Sequence, residues 1–263
     1  MSGLLKGKKI LITGVANDRS IAWGIAKFAV EQGAEVALSY QNETLLKRVQ
    51  PLADSVGIKY LIECDATDEA SLDKAFTGLK EAWGALDGVV HAIAFADKNE
   101  LKGRYVDTSH KGFMMAMDIS CYSFVAISKH AAAMMAEGGS IVTLTYYGAE
   151  KVIPNYNVMG VAKAALEASM RYVAADLGPD GIRVNAISAG PIKTLAASGI
   201  GDFRSFLKYA ADNSPMRDNV SQEDVARSAA YLLSDLGRGV TGEVIYVDNG
   251  YNIMGMQASD SNT

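Results

Sequence analysis

Lys8-Lys-Ile-Leu-Ile-Thr-Gly14-Val-Ala-Asn-Asp-Arg-Ser20-Ile-Ala-Trp-Gly24, close to the N-terminus, decides the fold. A short apolar run over Lys8–Thr13 stops at a glycine and gives way to Ser20–Gln32, whose apolar residues recur at helical spacing. A strand that turns through glycine into a helix opens a βαβ unit. The alternation then continues down the chain. Strands are expected at Ala34–Tyr40, Ile58–Cys64, Leu86–Ala94, Ser140–Thr145, Ile182–Ala189 and Glu243–Val247. Helices are expected at Asn42–Val56, Glu69–Trp83, Lys111–Ala136, Tyr156–Leu177 and Gln222–Ser234. Short apolar strands separated by helices of this length imply a parallel sheet covered on both faces, wound both ways by right-handed crossovers. The expected fold is therefore α/β, a single doubly wound Rossmann-type domain over residues 1–257 with seven parallel strands. Two stretches interrupt the rhythm. Phe95–Thr108 is polar and reads as a loop, and Ala189–Pro215 is too long for a simple connection. The second is expected to form a lid over about residues 192–215, and the polar tail 258–263 to fray.

Composition narrows the function classes. Of 263 residues, 49% are hydrophobic and 21% charged, ordinary for a soluble globular protein. The net charge of −5 argues against nucleic acid as the main partner. Cys64 and Cys121 form no close-spaced pair and His91, His110 and His130 are scattered, so no metal site is expected. No apolar run reaches membrane-spanning length and the N-terminus lacks a signal-peptide core. A cytoplasmic protein without membrane insertion is expected.

The glycine turn also suggests what the fold would hold. Gly14 permits a tight turn, and the helix opening at Ser20-Ile21 offers N–H groups to a pyrophosphate. The spacing departs from G-x-G-x-x-G, and Ser20 could be a helix cap and nothing more. The second strand ends Ser39-Tyr40-Gln41-Asn42, with neither an acidic residue nor an arginine at its tip. Neutral Gln41 suits free ribose hydroxyls, which favours NADH over NADPH. Asp65, in Cys64-Asp65-Ala66, is placed to accept from an adenine amino group, or else to cap the next helix, a task for which Asp68 competes. Tyr156 and Lys163 stand seven residues apart, about two helical turns, and so share a face. A phenol near an ammonium is a proton donor whose anion is stabilised. Such a pair is equally an ordinary feature of an amphipathic helix.

Taken together these residues resemble a known family. Gly14-x5-Ser20-Ile21-Ala22, Ser39-Tyr40-Gln41, Tyr156-x6-Lys163, Arg183-Val-Asn-Ala-Ile-Ser-Ala-Gly-Pro191 and Thr194-Leu-Ala-Ala197 resemble the short-chain dehydrogenase/reductases, in their divergent branch. They are most similar to the NADH-dependent enoyl-acyl-carrier-protein reductases of bacterial type II fatty acid synthesis, over residues 4–257. The common branch has three residues between tyrosine and lysine; six is specific to the enoyl reductases and close relatives. The resemblance implies NADH-dependent reduction of trans-2-enoyl thioesters, carried on acyl carrier protein or coenzyme A, by a homotetramer. It implies that Tyr156 hydrogen-bonds the thioester oxygen as enolate charge develops, that Lys163 holds the nicotinamide ribose, and that Tyr146 is a second active-site tyrosine. It implies that Gly14, Ser20, Ile21, Gln41, Asp65, Ala66, Ile93, Ile192 and Thr194 contact the cofactor. Phe95, Ala96, Met159, Ala196, Phe203 and Phe206 would line the acyl site with the two tyrosines. Some positions depart from the family pattern. Ala92 and Ala94 stand where many members have serine and glycine, and Asn249 follows Asp248 where glycine is usual. The lid carries Arg204 and Lys208 with Asp202 and Ser205 among them, less positive than a surface that docks an acidic carrier. The rival readings are a ketone-reducing relative and a non-catalytic dinucleotide-binding protein.

Overall fold

The computed structural model describes residues 3–194 and 203–256. Seven strands, β1 (Lys9–Ile12), β2 (Glu35–Tyr40), β3 (Tyr60–Glu63), β4 (Gly88–His91), β5 (Gly139–Thr145), β6 (Ile182–Ala189) and β7 (Val244–Val247), form one sheet in the order β3-β2-β1-β4-β5-β6-β7. Every neighbouring pair is parallel, as the strand–helix alternation implies. The helices are α1 (Ile21–Glu31), α2 (Glu43–Ser55), α3 (Glu69–Trp83), α4 (His110–Met117), α5 (Ser123–Ala132), α6 (Asn157–Leu177), α7 (Phe203–Asn213) and α8 (Gln222–Leu233).

Strand periodicity of two sends alternate residues to opposite faces, and the two apolar cores follow it. Ile10, Ile12, Val90, Val142 and Ile187 pack with α1 and α8. Their neighbours Leu11, Val89, Ile141 and Ala186 pack with α3, α5 and α6. Strand order reverses between β1 and β4, and in such sheets the crevice beyond the strand ends is where ligands bind. Gly14 leads the chain out of β1 at that point with φ +86°, and a Cβ there would fall 2.1 Å from the Ala92 carbonyl oxygen. Only glycine allows so close an approach of the two connections.

Three elements differ from the sequence expectation. β4 stops at His91 rather than Ala94, because beyond it the Ala92 N–H turns to the Thr13 hydroxyl, 3.3 Å away. The helix expected over Lys111–Ala136 is interrupted by a π-turn at Asp118–Tyr122, which separates α4 from α5. The wider turn brings two serines to the end of β4. Ser120 Oγ accepts from the Phe95 N–H at 2.9 Å and donates to the Phe95 carbonyl at 3.0 Å. Ser123 Oγ donates to the Ile119 carbonyl at 2.7 Å and lies 2.9 Å from His91 Nε2. The third difference is α6, which begins at Asn157 and leaves Tyr156 at its N-cap.

Candidate active site

At the β1–β4 crevice, α1 presents an open N-terminus. Ser20 occupies the N-cap position, yet its hydroxyl does not cap α1. It faces back and accepts from the N–H groups of Ala16 and Asn17, at 3.0 and 3.1 Å. Among the described residues the N–H groups of Ile21 and Ala22 have no acceptor, while those of Trp23 and Gly24 bond the Ser20 carbonyl, and the helix dipole favours an anion there. This chemistry fits the pyrophosphate of a dinucleotide.

The adenosine side is more specific. Asp68 caps α3 by accepting from the Ala70 N–H, so Asp65 is released from that role. Asp65 Oδ1 accepts from the Thr67 N–H at 3.0 Å and the Thr67 hydroxyl at 2.8 Å, and Oδ2 accepts from Gln41 Nε2 at 3.1 Å. Burial alone would raise the Asp65 carboxyl, but these hydrogen bonds hold it below the usual range. A carboxylate only accepts, so the Gln41 amide must turn its nitrogen to Asp65 and its oxygen away. That oxygen suits hydroxyl donors and offers nothing to a phosphate. Ala66 is buried beside Asp65, and Ile93 and Ile192 pack at the margins of the two cores. Thr194 donates its N–H to the Ile192 carbonyl at 2.8 Å.

The Tyr–Lys pair is arranged differently from two turns of regular helix. Tyr156 sits between Asn155 at φ +59° and Asn157 at φ +24°. Asparagine tolerates the left-handed region better than most residues, but two such positions together store on the order of 1 kcal/mol each. Strain of this kind is sustained by the packing it serves. The Tyr156 ring is buried and meets Tyr146 edge-on, centroids 5.2 Å apart. A Cβ at Gly148 would stand 2.5 Å from that ring, so the turn after β5 must be glycine there. Lys163, only 6% exposed, donates from Nζ to the Leu144 carbonyl at 2.8 Å. Burial pulls its ammonium down to about 8, while Cys121 and Glu167 pull it back up. Burial, and then Glu167, raises the Tyr156 phenol, so it is a proton donor at neutral pH. Burial raises Tyr146 as well. Its hydroxyl is shielded and has no hydrogen-bond partner among the described residues.

Of the expected acyl-site residues, Met159, Ala96, Tyr146 and Tyr156 share one small apolar cluster with Leu101 and Phe113. Phe206 of α7 lies edge-on to Tyr146 at 6.4 Å. The Phe95 ring is half exposed, while its backbone is gripped by Ser120. Ala196 lies outside the described residues, and Phe203 opens α7 with its side chain outside them. Sequence reasoning missed the layer beneath: Ser120, Ser123, His91 and Glu167. Asp118-Ile-Ser-Cys-Tyr-Ser123 contains no glycine or proline to announce a π-turn. His91 bridges Thr143 and Ser123 at 2.9 Å each, and burial, with Lys163 nearby, lowers it to about 3, so it is neutral. Among the described residues no group of three His, Cys, Asp or Glu could hold a metal ion. No described helix is long and apolar enough to cross a membrane.

A sequence model of the enoyl-(acyl carrier protein) reductases matches residues 14–252. The chain belongs to that family. The reductase is 63% identical to the NADH enoyl-acyl-carrier-protein reductase 1 of Rhizobium meliloti (strain 1021) over 260 residues, 99% of this chain and 96% of that one. Among solved structures, the enoyl-acyl-carrier-protein reductase of Anaplasma phagocytophilum, in complex with NAD, is 60% identical with a TM-score of 0.95, covering 98% of this chain and 99% of that one. The Bacillus cereus enzyme with NADP+ and an indole naphthyridinone is 50% identical with a TM-score of 0.95, covering 97% and 100%.

Proposed function

We propose that Tyr146, Tyr156 and Lys163 are the working side chains with which this NADH-dependent enoyl-acyl-carrier-protein reductase saturates the double bond of trans-2-enoyl thioesters in fatty acid synthesis. The observation that carries the assignment of residues is the Tyr146 hydroxyl, without a partner among the described residues and buried beside the Tyr156 ring at the end of the strand that anchors Lys163. A buried hydroxyl without a partner costs about 1–3 kcal/mol, and a site that tolerates it has a use for the donor.

The α1 N-terminus, Gln41, Asp65 and Lys163 would hold NADH, which would supply the hydride. The protein's own contribution is electrostatic. Tyr156, with Tyr146 beside it, donates a hydrogen bond to the thioester oxygen as charge accumulates there, and a well-placed donor of this kind is worth on the order of 3 kcal/mol. Lys163 uses one of its three N–H groups on Leu144 and has two for the ribose hydroxyls. Its charge also favours any developing phenolate. The Gln41 oxygen, turned outward by Asp65, accepts from the adenosine hydroxyls and disfavours a 2′-phosphate. The acyl chain would lie against Met159, Ala96 and Phe206. The same reading extends to coenzyme A thioesters and to a cytoplasmic homotetramer. Exposed Met114, Tyr122 and Tyr172, on the α4–α6 segment, support the latter as apolar faces open to a second copy.

The test is direct. Purified protein is mixed with NADH, or NADPH in parallel, and with crotonyl- or acetoacetyl-coenzyme A, and loss of reduced-nicotinamide absorbance is followed. Loss with NADH and the crotonyl thioester supports the reading. Turnover confined to the acetoacetyl thioester identifies a ketone reductase, and binding without turnover of either identifies a non-catalytic protein.

A further inference from the structure

We propose that Glu167 is a positioning residue that keeps Lys163 charged, an internal counter-ion one turn further along α6. The idea rests on the reading of Lys163 as the ribose-holding ammonium and explains how that ammonium survives inside the protein.

Lys163 and Glu167 are four residues apart on one face of α6 and are 6% and 7% exposed, and they act on each other across more than the 4 Å of a direct ion pair. A buried ammonium with a single carbonyl acceptor is poorly compensated. The end of β5 serves both groups with successive residues. The Leu144 carbonyl takes Lys163 Nζ at 2.8 Å, and the Thr145 hydroxyl donates to Glu167 Oε1 at 2.6 Å. The next residue is Tyr146, which enters the active site. One strand end therefore fixes the ammonium, the carboxylate and a phenol relative to one another. Thr145's hydrogen bond favours the ionised carboxylate and opposes the burial that raises Glu167. Lysine preceding glutamate is the weaker order for an isolated helix, so helix stability does not explain the pair.

Two acidic side chains support the ammonium, the Cys121 thiol and Glu167, and Glu167 is the carboxylate of the two. Lys163 is faced by His91 from β4 and by Cys121 from the π-turn, and burial keeps His91 neutral near pH 7. Glu167 is faced by Glu150 from the turn after β5, by Arg171 on α6, by Tyr156 at the start of α6, which burial keeps neutral near pH 7, and by Tyr246 of β7, whose hydroxyl bonds Glu150. Glu150 is exposed and screened by water.

NADH binding to the intact protein, titrated by nicotinamide fluorescence from about pH 6 to pH 10, separates the possibilities. Wild type should lose affinity as pH rises through the Lys163 value of about 8. Glu167→Gln should move that loss about one unit lower, roughly fivefold weaker binding at pH 8. A purely packing role would change the melting temperature and leave the alkaline limb in place, which overturns the proposal. A wild type with no alkaline limb would instead contradict the assignment of Lys163. Should Glu167→Gln not fold, wild type answers alone. With 13C-labelled glutamate, the Glu167 carboxyl signal must register the lysine titration, and Lys163→Met must raise the Glu167 pKa, since the coupling is reciprocal. A Glu167 signal indifferent to both overturns the proposal.

Discussion

Replacing Tyr146 by phenylalanine removes one oxygen atom, and it should make the protein more stable and the enzyme slower. The ring contacts survive the change, because Tyr156 and Phe206 meet the ring edge-on at 5.2 and 6.4 Å and involve no hydroxyl. What disappears is a buried donor with no partner among the described residues. Leaving such a group unmade costs about 1–3 kcal/mol, and deleting it should recover about 1 kcal/mol. At about 2.1 cal/mol/K of unfolding entropy per residue, a chain of this length gains roughly 2 °C in melting temperature per kcal/mol. In the reaction the same hydroxyl gains a charged acceptor, so its removal should lower kcat/KM for a crotonyl thioester by about a hundredfold. The assay is a thermal melt of the cofactor-free protein beside steady-state kinetics. A stability–activity trade at one atom marks a group held for function. A variant that melts earlier and turns over normally would show that the phenol is structural and refute the reasoning.

The other expectations concern separate parts of the site. Tyr156→Phe should lower turnover about a hundredfold or more while NADH affinity stays within about twofold, and Lys163→Ala should do the reverse; binding and single-turnover measurements would expose the opposite ordering. Gln41→Arg alone should gain little NADPH activity, because Asp65 already accepts from this position at 3.1 Å and would capture the guanidinium; a large rise in the NADPH/NADH ratio from the single change would contradict the orienting role of Asp65. Ala94→Gly should tighten planar aromatic inhibitors that stack at the exposed wall beyond β4, and equal inhibition constants would sink the steric reading. Ser221→Ala should cost about 1 kcal/mol by breaking the capping box with Asp224 at the start of α8. The Ser221 hydroxyl and N–H hold the Asp224 carboxyl below its usual range. That contribution is complete above the unfolded carboxylate pKa and disappears as pH falls through the lower folded value, so the two stability curves should converge in acid.

The fold was legible because parallel strands buried on both faces read as apolar runs, and because the Gly14 turn lies directly after the first of them. Helix boundaries were less so. Tyr156 reads as helical because everything after it is, whereas Asn155 and Asn157 take left-handed conformations that position its ring and exclude it from α6. The π-turn is invisible in Asp118–Ser123, since its cause is remote: Phe95 and His91 draw Ser120 and Ser123 toward β4. For the site, spacing singled out Tyr156 and Lys163 as candidates, and strand ends singled out Gln41 and Asp65, without showing what they touch. The choice between Asp65 and Asp68 as helix cap was settled only by the bond to Ala70. Asn249 was a departure without a role in the sequence. It takes φ +55°, which favours the glycine usual there, and its amide donates to the Asp218 carbonyl at 2.8 Å, tying β7 to the segment after α7.

The central place of β1 has a consequence for synthesis on the ribosome. Ile10 meets Val36 on one side soon after the second strand is made, but on the other side it waits for Gly88. At roughly 5–20 residues per second, the chain between Ile10 and Gly88 takes several seconds to emerge. For that interval Ile10, Leu11 and Ile12 keep an unpaired edge, of the kind that recruits other nascent chains. Slow translation between β2 and β4 therefore lengthens the exposure, and the yield of soluble protein should depend on how quickly residues 41–91 are made.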